Sequence, residues 1–132
     1  MKLLTRDTDY AIRALCCLAR RPDEIASVNE LVRILKVPRP FLRKILQTLN
    51  RSGLLRSYKG VGGGFAPGFP AEKIFLVDVI RIFQGPFKLN ECFLRKRPCP
   101  GVRRCALKKR IDAIERHVVG ELASITIASL LK

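Results

Sequence analysis

At 132 residues, with 48% apolar and 28% charged side chains, the chain has the size and balance of one globular domain, which excludes wholesale disorder and dependence on disulfide staples. The opening MKLLTRDTDY turns polar after two leucines, and no run approaches the roughly 20 apolar residues of a membrane helix. Neither a secretion signal nor a membrane span is therefore expected, and the expected compartment is the cytoplasm. A formal net charge of +15 asks for a polyanionic partner, and nucleic acid fits better than lipid because no basic amphipathic surface helix with exposed aromatics is present.

Residues 1–30 are neutral, with five basic and five acidic side chains. Within them Ala11, Ala14, Leu15 and Leu18 recur at helical spacing, which predicts a first helix over 8–20, with Pro22 just beyond it. Ser27-Val28-Asn29-Glu30 reads as a capping box, in which the Ser hydroxyl and the Glu carboxylate each satisfy a backbone N–H of the first turn. Val28, Leu31, Val32 and Leu35 then form the stripe of a second short helix, broken at Val37-Pro38. Pro40 suits the first turn of a third helix, whose buried stripe is Leu42, Ile45, Leu46 and Leu49 and whose end is Gly53. Two helices joined by a turn of about four residues make a helix-turn-helix. Leu54 to Tyr58 predicts a strand, Lys59 to Gly64 a glycine-rich turn, and Phe65-Ala66 the start of a return strand. A hairpin in that place is a wing.

Residues 73–83 (KIFLVDVIRIF) predict a packed helix ended by Gly85-Pro86, followed by a proline-punctuated loop over 86–104. From Cys105 onward Leu107, Ile111, Ile114, Val118, Leu122 and Ile125 follow spacings of 4, 3, 4, 4 and 3, a narrow seam closer to a coiled coil than to a core helix. The expected fold is mainly α: a winged helix-turn-helix at 1–85, a cysteine-containing loop at 86–104, and a dimerisation helix with a C-terminal tail at 105–132.

Residues 31–71 carry Arg33, Lys36, Arg39, Arg43, Lys44, Arg51, Arg56 and Lys59 and no acidic side chain. Opposite the apolar stripe of the third helix lie Arg39, Pro40, Arg43, Lys44 and Gln47, with Thr48 at the edge. Arg can bond two atoms of guanine at once and Gln two of adenine, whereas a merely solvated face normally mixes in Glu. In the wing, Tyr58 and Lys59 can reach a minor groove, and Gly62 and Gly63 allow close approach of backbone to phosphate. An enzyme is not expected: the glycine run lacks the third glycine of a dinucleotide fingerprint, no Gly-Lys-Ser/Thr follows it, and the one histidine, His117, lies in the seam helix. A structural RNA- or ribosome-associated protein is the competing basic-domain class.

Cys16 and Cys17 lie inside the first helix, where cysteine behaves as a small apolar group. Cys92, Cys99 and Cys105, spaced C-x6-C-x5-C, differ: they lie in or just before the block from Arg95 to Arg110, which holds eight cations and no carboxylate. Positive surroundings favour thiolates, and the lack of a C-x2-C pair argues against structural zinc. An iron–sulfur cluster with one non-cysteine ligand and a reversible thiol switch both fit this spacing.

The run Phe41-Leu42-Arg43-Lys44-Ile45-Leu46, then Leu49, Gly53-Leu54-Leu55 and Lys59-Gly60-Val61-Gly62-Gly63-Gly64-Phe65, closely resembles the Rrf-type family of winged-helix transcriptional regulators. Met1-Lys2-Leu3 and Thr8-Asp9-Tyr10-Ala11 are similar to that family's start, with one extra residue, and the three-cysteine loop before a long helix also matches. The resemblance implies a homodimer on an inverted-repeat operator in double-stranded DNA, acting as a repressor, with Cys92, Cys99 and Cys105 holding an iron–sulfur cluster. The iron-regulator branch takes its fourth ligand from a histidine three residues past the last cysteine, where this chain has Lys108. The nitric-oxide-responsive branch takes it from an aspartate at the start of the partner's first helix, a position occupied here by Asp9, with Asp7 as second candidate. Three thiolates and a carboxylate lean toward a four-iron over a two-iron cluster.

Overall fold

The computed structural model describes residues 3–88 and 106–131; Cys92, Cys99 and Cys105, and with them the loop predicted at 86–104, lie outside the described residues apart from 86–88. Helix α1 (Arg6–Ala19) buries Ala11, Ala14, Leu15 and Leu18, as its spacing requires. Thr5 caps it, accepting from the Thr8 N–H at 3.3 Å, and the wholly buried Thr8 pairs its hydroxyl with that of Thr5 at 3.0 Å. Helix α2 (Val28–Leu35) begins with half of the expected box, the Glu30 N–H donating to Ser27 Oγ at 3.1 Å. It stops at Lys36, whose left-handed backbone (φ 57°) turns the chain toward Val37 and Pro38.

Only those three residues separate α2 from α3 (Arg39–Arg51), a turn one residue tighter than the sequence predicts. Leu42, Ile45, Leu46 and Leu49 are all buried, so the face assignment of α3 holds. Gly53 ends it in left-handed backbone: its N–H reaches the Asn50 carbonyl and that of Leu54 the Leu49 carbonyl, both at 3.0 Å, which satisfies the last carbonyls of the helix. Strands β1 (Leu55–Tyr58) and β2 (Gly64–Pro67) then form the predicted antiparallel wing, with Leu55 opposite Pro67 and Tyr58 opposite Gly64. A bridge between Ala26 and Phe65 ties the wing to the residue before the α2 cap.

Helix α4 (Leu76–Gln84) is shorter at its start than expected. Residues 71–73 form a single 3-10 turn, and Ile74 and Phe75 are extended because their backbone pairs with the C-terminal end of the chain: Ile127 N–H donates to Ile74 O and Leu76 N–H to Ile125 O, both at 2.9 Å. Helix α5 (Ala106–Ala123) stops before Ile125, so the last residue of the predicted seam sits in a turn. The predicted tail contains a further short helix, α6 (Ile127–Leu130), opened by a Thr126–Ser129 capping box. Ile127 is completely buried in the core that α1 and α3 share, so the chain's end closes the winged domain. A second, smaller cluster joins Leu76 and Ile80 of α4 to Leu122 of α5, with Leu4, Phe87 and Val118 around it. Among the described residues, no helix is long and apolar enough to cross a membrane.

Candidate nucleic-acid interface

Burying the Leu and Ile stripe of α3 leaves its opposite side to solvent. Arg39, Pro40, Arg43, Lys44 and Gln47 are all exposed there, so the structure brings the predicted reading residues onto one face. Thr48 contributes less than its position suggests, because its hydroxyl donates to the Lys44 carbonyl at 2.9 Å. The wing rises beside this face, with Tyr58, Lys59 and Gly62 exposed and Gly63 half-buried. Between helix and wing runs an open cleft lined by Gln47 and Asn50 of α3 and by Ser57, Tyr58 and Lys59 of the wing. Sequence reasoning passed over Asn50, although its place three residues beyond Gln47 continues the same polar side for another turn.

The charges of this surface have no ion-pair partner among the described residues. Among the described residues the ion pairs are Arg13–Asp9, Arg21–Glu24, Arg81–Asp78 and Lys108–Asp112. None uses a cation from residues 31–71. A folded chain that gathers exposed cations on a helix and an adjoining hairpin, without carboxylates beside them, carries a local positive potential that attracts phosphate.

The glycines of the wing have reasons inside the hairpin. A Cβ on Gly63 would lie 2.3 Å from the Tyr58 carbonyl oxygen, and one on Gly64 2.1 Å from that of Ala26. Gly62 turns the chain with φ 78° in open space. The glycine run therefore follows from how the hairpin closes and docks on α2, and the positive surface rests on Arg56, Lys59 and the side chains of α3.

Of the residues predicted to bind a metal centre, those described are the second candidate, Asp7, and Asp9. The Asp9 carboxylate lies in the first turn of α1 and pairs with Arg13 Nε at 3.0 Å, with 42% of the Asp9 side chain still exposed. Among the described residues no three His, Cys, Asp or Glu side chains converge on a metal position. Cys16 and Cys17 are half-buried and free, and burial pushes the Cys16 thiol up, an effect Arg20 opposes and Cys17 reinforces. A thiol so placed stays protonated and packs as an apolar group. His117 is exposed on α5.

The α5 seam divides along its length. Leu122 is 6% exposed against α4, while Leu107 and Ile114 stand 68% and 52% exposed. One end of the stripe is used within the chain, and among the described residues nothing covers Leu107 and Ile114 at the other.

A family model described as Rrf2, iron-dependent transcriptional regulator, matches residues 4–132. Protein aau3 of Rhizobium meliloti (strain 1021) is 34% identical over 130 residues, spanning 98% of this chain and 84% of that protein. A protein of Aquifex aeolicus (strain VF5) named as an HTH-type transcriptional regulator is 37% identical over 90 residues, 68% of this chain and 62% of its own length. Among solved structures, CymR (YrzC), the global cysteine regulator of B. subtilis, superposes with a TM-score of 0.80 at 23% identity, covering 99% of this chain and 97% of that one. T. potens IscR gives 0.70, also at 23% identity, over 99% and 86%. These two likenesses are of fold, and both carry the mainly helical, winged architecture described above. Family and neighbours are regulators of transcription, not enzymes. With the match running from the first helix to the last residue, and with a winged helix-turn-helix whose reading face is basic, the chain belongs to the Rrf2 family of DNA-binding transcriptional regulators.

Proposed function

We propose that this chain works as a homodimeric repressor in the cytoplasm, reading an inverted repeat in double-stranded DNA and sensing redox, nitric oxide or iron status through an iron–sulfur cluster. In this reading α3 enters the major groove, presenting Arg39, Arg43, Lys44 and Gln47 to base edges, and Tyr58 and Lys59 of the wing meet the adjacent minor groove. The observation that carries it is the set of exposed cations on α3 and the wing that make no ion pair among the described residues. Leu107 and Ile114, exposed on α5, support pairing with a second copy, which would set the distance between the two reading helices.

Cys92, Cys99 and Cys105 are the residues that would hold the cluster, and the description of the family as iron-dependent supports their assignment. The partner subunit's Asp9 would complete the ligand set, and a four-iron centre suits that donor set better than a two-iron one. When bound, the group supplies a redox-active iron centre that small oxidants and nitric oxide can attack. The basic block around the cysteines stabilises their thiolates. One observation favours a cluster-free thiol regulator instead: Asp9 already pairs one carboxylate oxygen with Arg13, a cation that competes with iron for its charge.

Strictly anaerobic purification followed by absorption spectroscopy and iron and sulfide counts tests the cluster. We expect a brown protein with about four iron and four sulfide per subunit, as a cubane centre requires. A colourless, iron-free product would contradict it and leave the thiol reading standing. Loaded and cluster-free protein should then differ in affinity for the same operator duplex, and equal affinities would overturn the sensing role.

A further inference from the structure

The exposed side of α3 has two flanks. At about 100° per residue, Arg39, Arg43, Gln47 and Asn50 run along one of them, and Gln47 and Asn50 border the wing cleft. Phe41, Lys44 and Thr48, at spacings of three and four, run along the other. Phe41 is 44% exposed, unusual for a phenylalanine on a helix that otherwise buries its apolar residues. The guanidinium of Arg6, the first residue of α1, lies over its ring, 5.0 Å from the centroid.

The helix start that carries Arg6 is itself anchored. Thr5, the α1 cap, donates its N–H to Gln84 Oε1 at 2.9 Å, and Gln84 Nε2 donates back to the Leu3 carbonyl at 3.3 Å, so the start of α1 is fastened to the end of α4. A guanidinium lying on an aromatic face keeps its N–H donors at the rim of its plane, open to a phosphate. Arg6 joins none of the ion pairs found among the described residues. Of the carboxylates in the same turn, Asp9 is occupied by Arg13, and Asp7 lies about 100° round the helix from Arg6.

We propose that Arg6 is a DNA-backbone contact on the flank of α3 away from the wing, an assignment that rests on α3 being the reading helix. A major groove is about 12 Å wide and bounded by two sugar-phosphate strands. The wing and its cleft serve one strand; Arg6, stacked on Phe41 and continuing the line of Lys44, serves the other. A helix gripped on both flanks cannot roll in the groove, which fixes the register of Arg43 and Gln47 on the bases.

The test is the salt dependence of binding to a fluorescein-labelled mixed-sequence DNA duplex, measured by anisotropy. Each phosphate contact contributes about 0.9 to the slope of log K against log salt. R6A is expected to lower that slope by about one per winged domain, with its thermal midpoint close to wild type, and R6K to keep the slope. F41A, which removes the stack but not the charge, should weaken binding while retaining the slope. A wild-type slope in folded R6A would overturn the Arg6 contact alone and reduce the stack to a link between α1 and α3. Failure of the wild-type protein to bind any duplex would overturn the DNA reading itself.

Discussion

Gly64→Ala is expected to destabilise the protein by about 3–5 kcal/mol, lowering the thermal midpoint by roughly 10–20 °C. The added Cβ would lie 2.1 Å from the Ala26 carbonyl oxygen, 2.6 Å from its carbon and 2.9 Å from Ser27 Cα, all of them backbone atoms that no side-chain rotation can clear. Strand β2 would have to retreat, breaking the two bridge bonds in which Ala26 N–H donates to Phe65 O at 2.9 Å and Phe65 N–H to Ala26 O at 2.8 Å. Each half-buried amide or carbonyl left unpaired costs about 1–3 kcal/mol. Ser27 is also the cap of α2, so the damage reaches the helix-turn-helix. Gly62→Ala is the control: φ there is 78° but nothing lies within 4 Å, so only the left-handed backbone penalty of about 1–2 kcal/mol applies. Thermal unfolding followed by circular dichroism separates the two, and equal shifts would contradict the docking of the wing on α2.

Arg43→Ala should leave the fold intact and cost DNA recognition about 1–3 kcal/mol per half-site, or roughly five- to 150-fold. Arg43 is exposed on the outer side of α3, opposite the stripe of Leu42, Ile45, Leu46 and Leu49, and enters none of the ion pairs among the described residues. Alanine favours the helix at least as well, so unfolding should move by no more than about 0.5 kcal/mol. The loss should fall on one base pair of each half-site, so that the variant tolerates changes there which the parent rejects. Competition against duplexes substituted position by position measures this. A loss spread evenly over all sequences would assign Arg43 to phosphate.

The two variants probe parts of the molecule that differ in how far the sequence announces them. The helix-turn-helix and wing are legible because their signals are local: Ser27 before Glu30, Pro38 and Pro40 around the turn, Gly53 at a helix end, and apolar residues at helical spacing. The reading face follows from the same periodicity, since placing Leu42, Ile45, Leu46 and Leu49 inward forces Arg43, Lys44 and Gln47 outward. Long-range features are not legible in this way. Gly64 reads as a flexible turn residue until Ala26 is found against it. Ile74 and Phe75 fit a helix by apolarity, yet their backbone pairs with residues some fifty positions on, which delays α4 to Leu76. Helix α6 has only four residues, too few to show a period, and its role comes from Ile127 entering a core built by distant helices. In the sequence Arg6 is one more charge in a neutral segment. Only the approach of α1 to the start of α3 gives it a ring to lie on.

In the proposed function α3 and the wing discriminate sequence in double-stranded DNA and do not merely bind polyanions. The most direct measurement selects duplexes from a random pool with the purified protein, then compares affinity for the selected sequence with that for a scrambled duplex and a structured RNA at physiological salt. Sequence reading predicts an inverted repeat bound at least about 1,000-fold more tightly than either competitor. Equal, salt-sensitive affinity for all three would contradict it and describe a general nucleic-acid-binding protein instead.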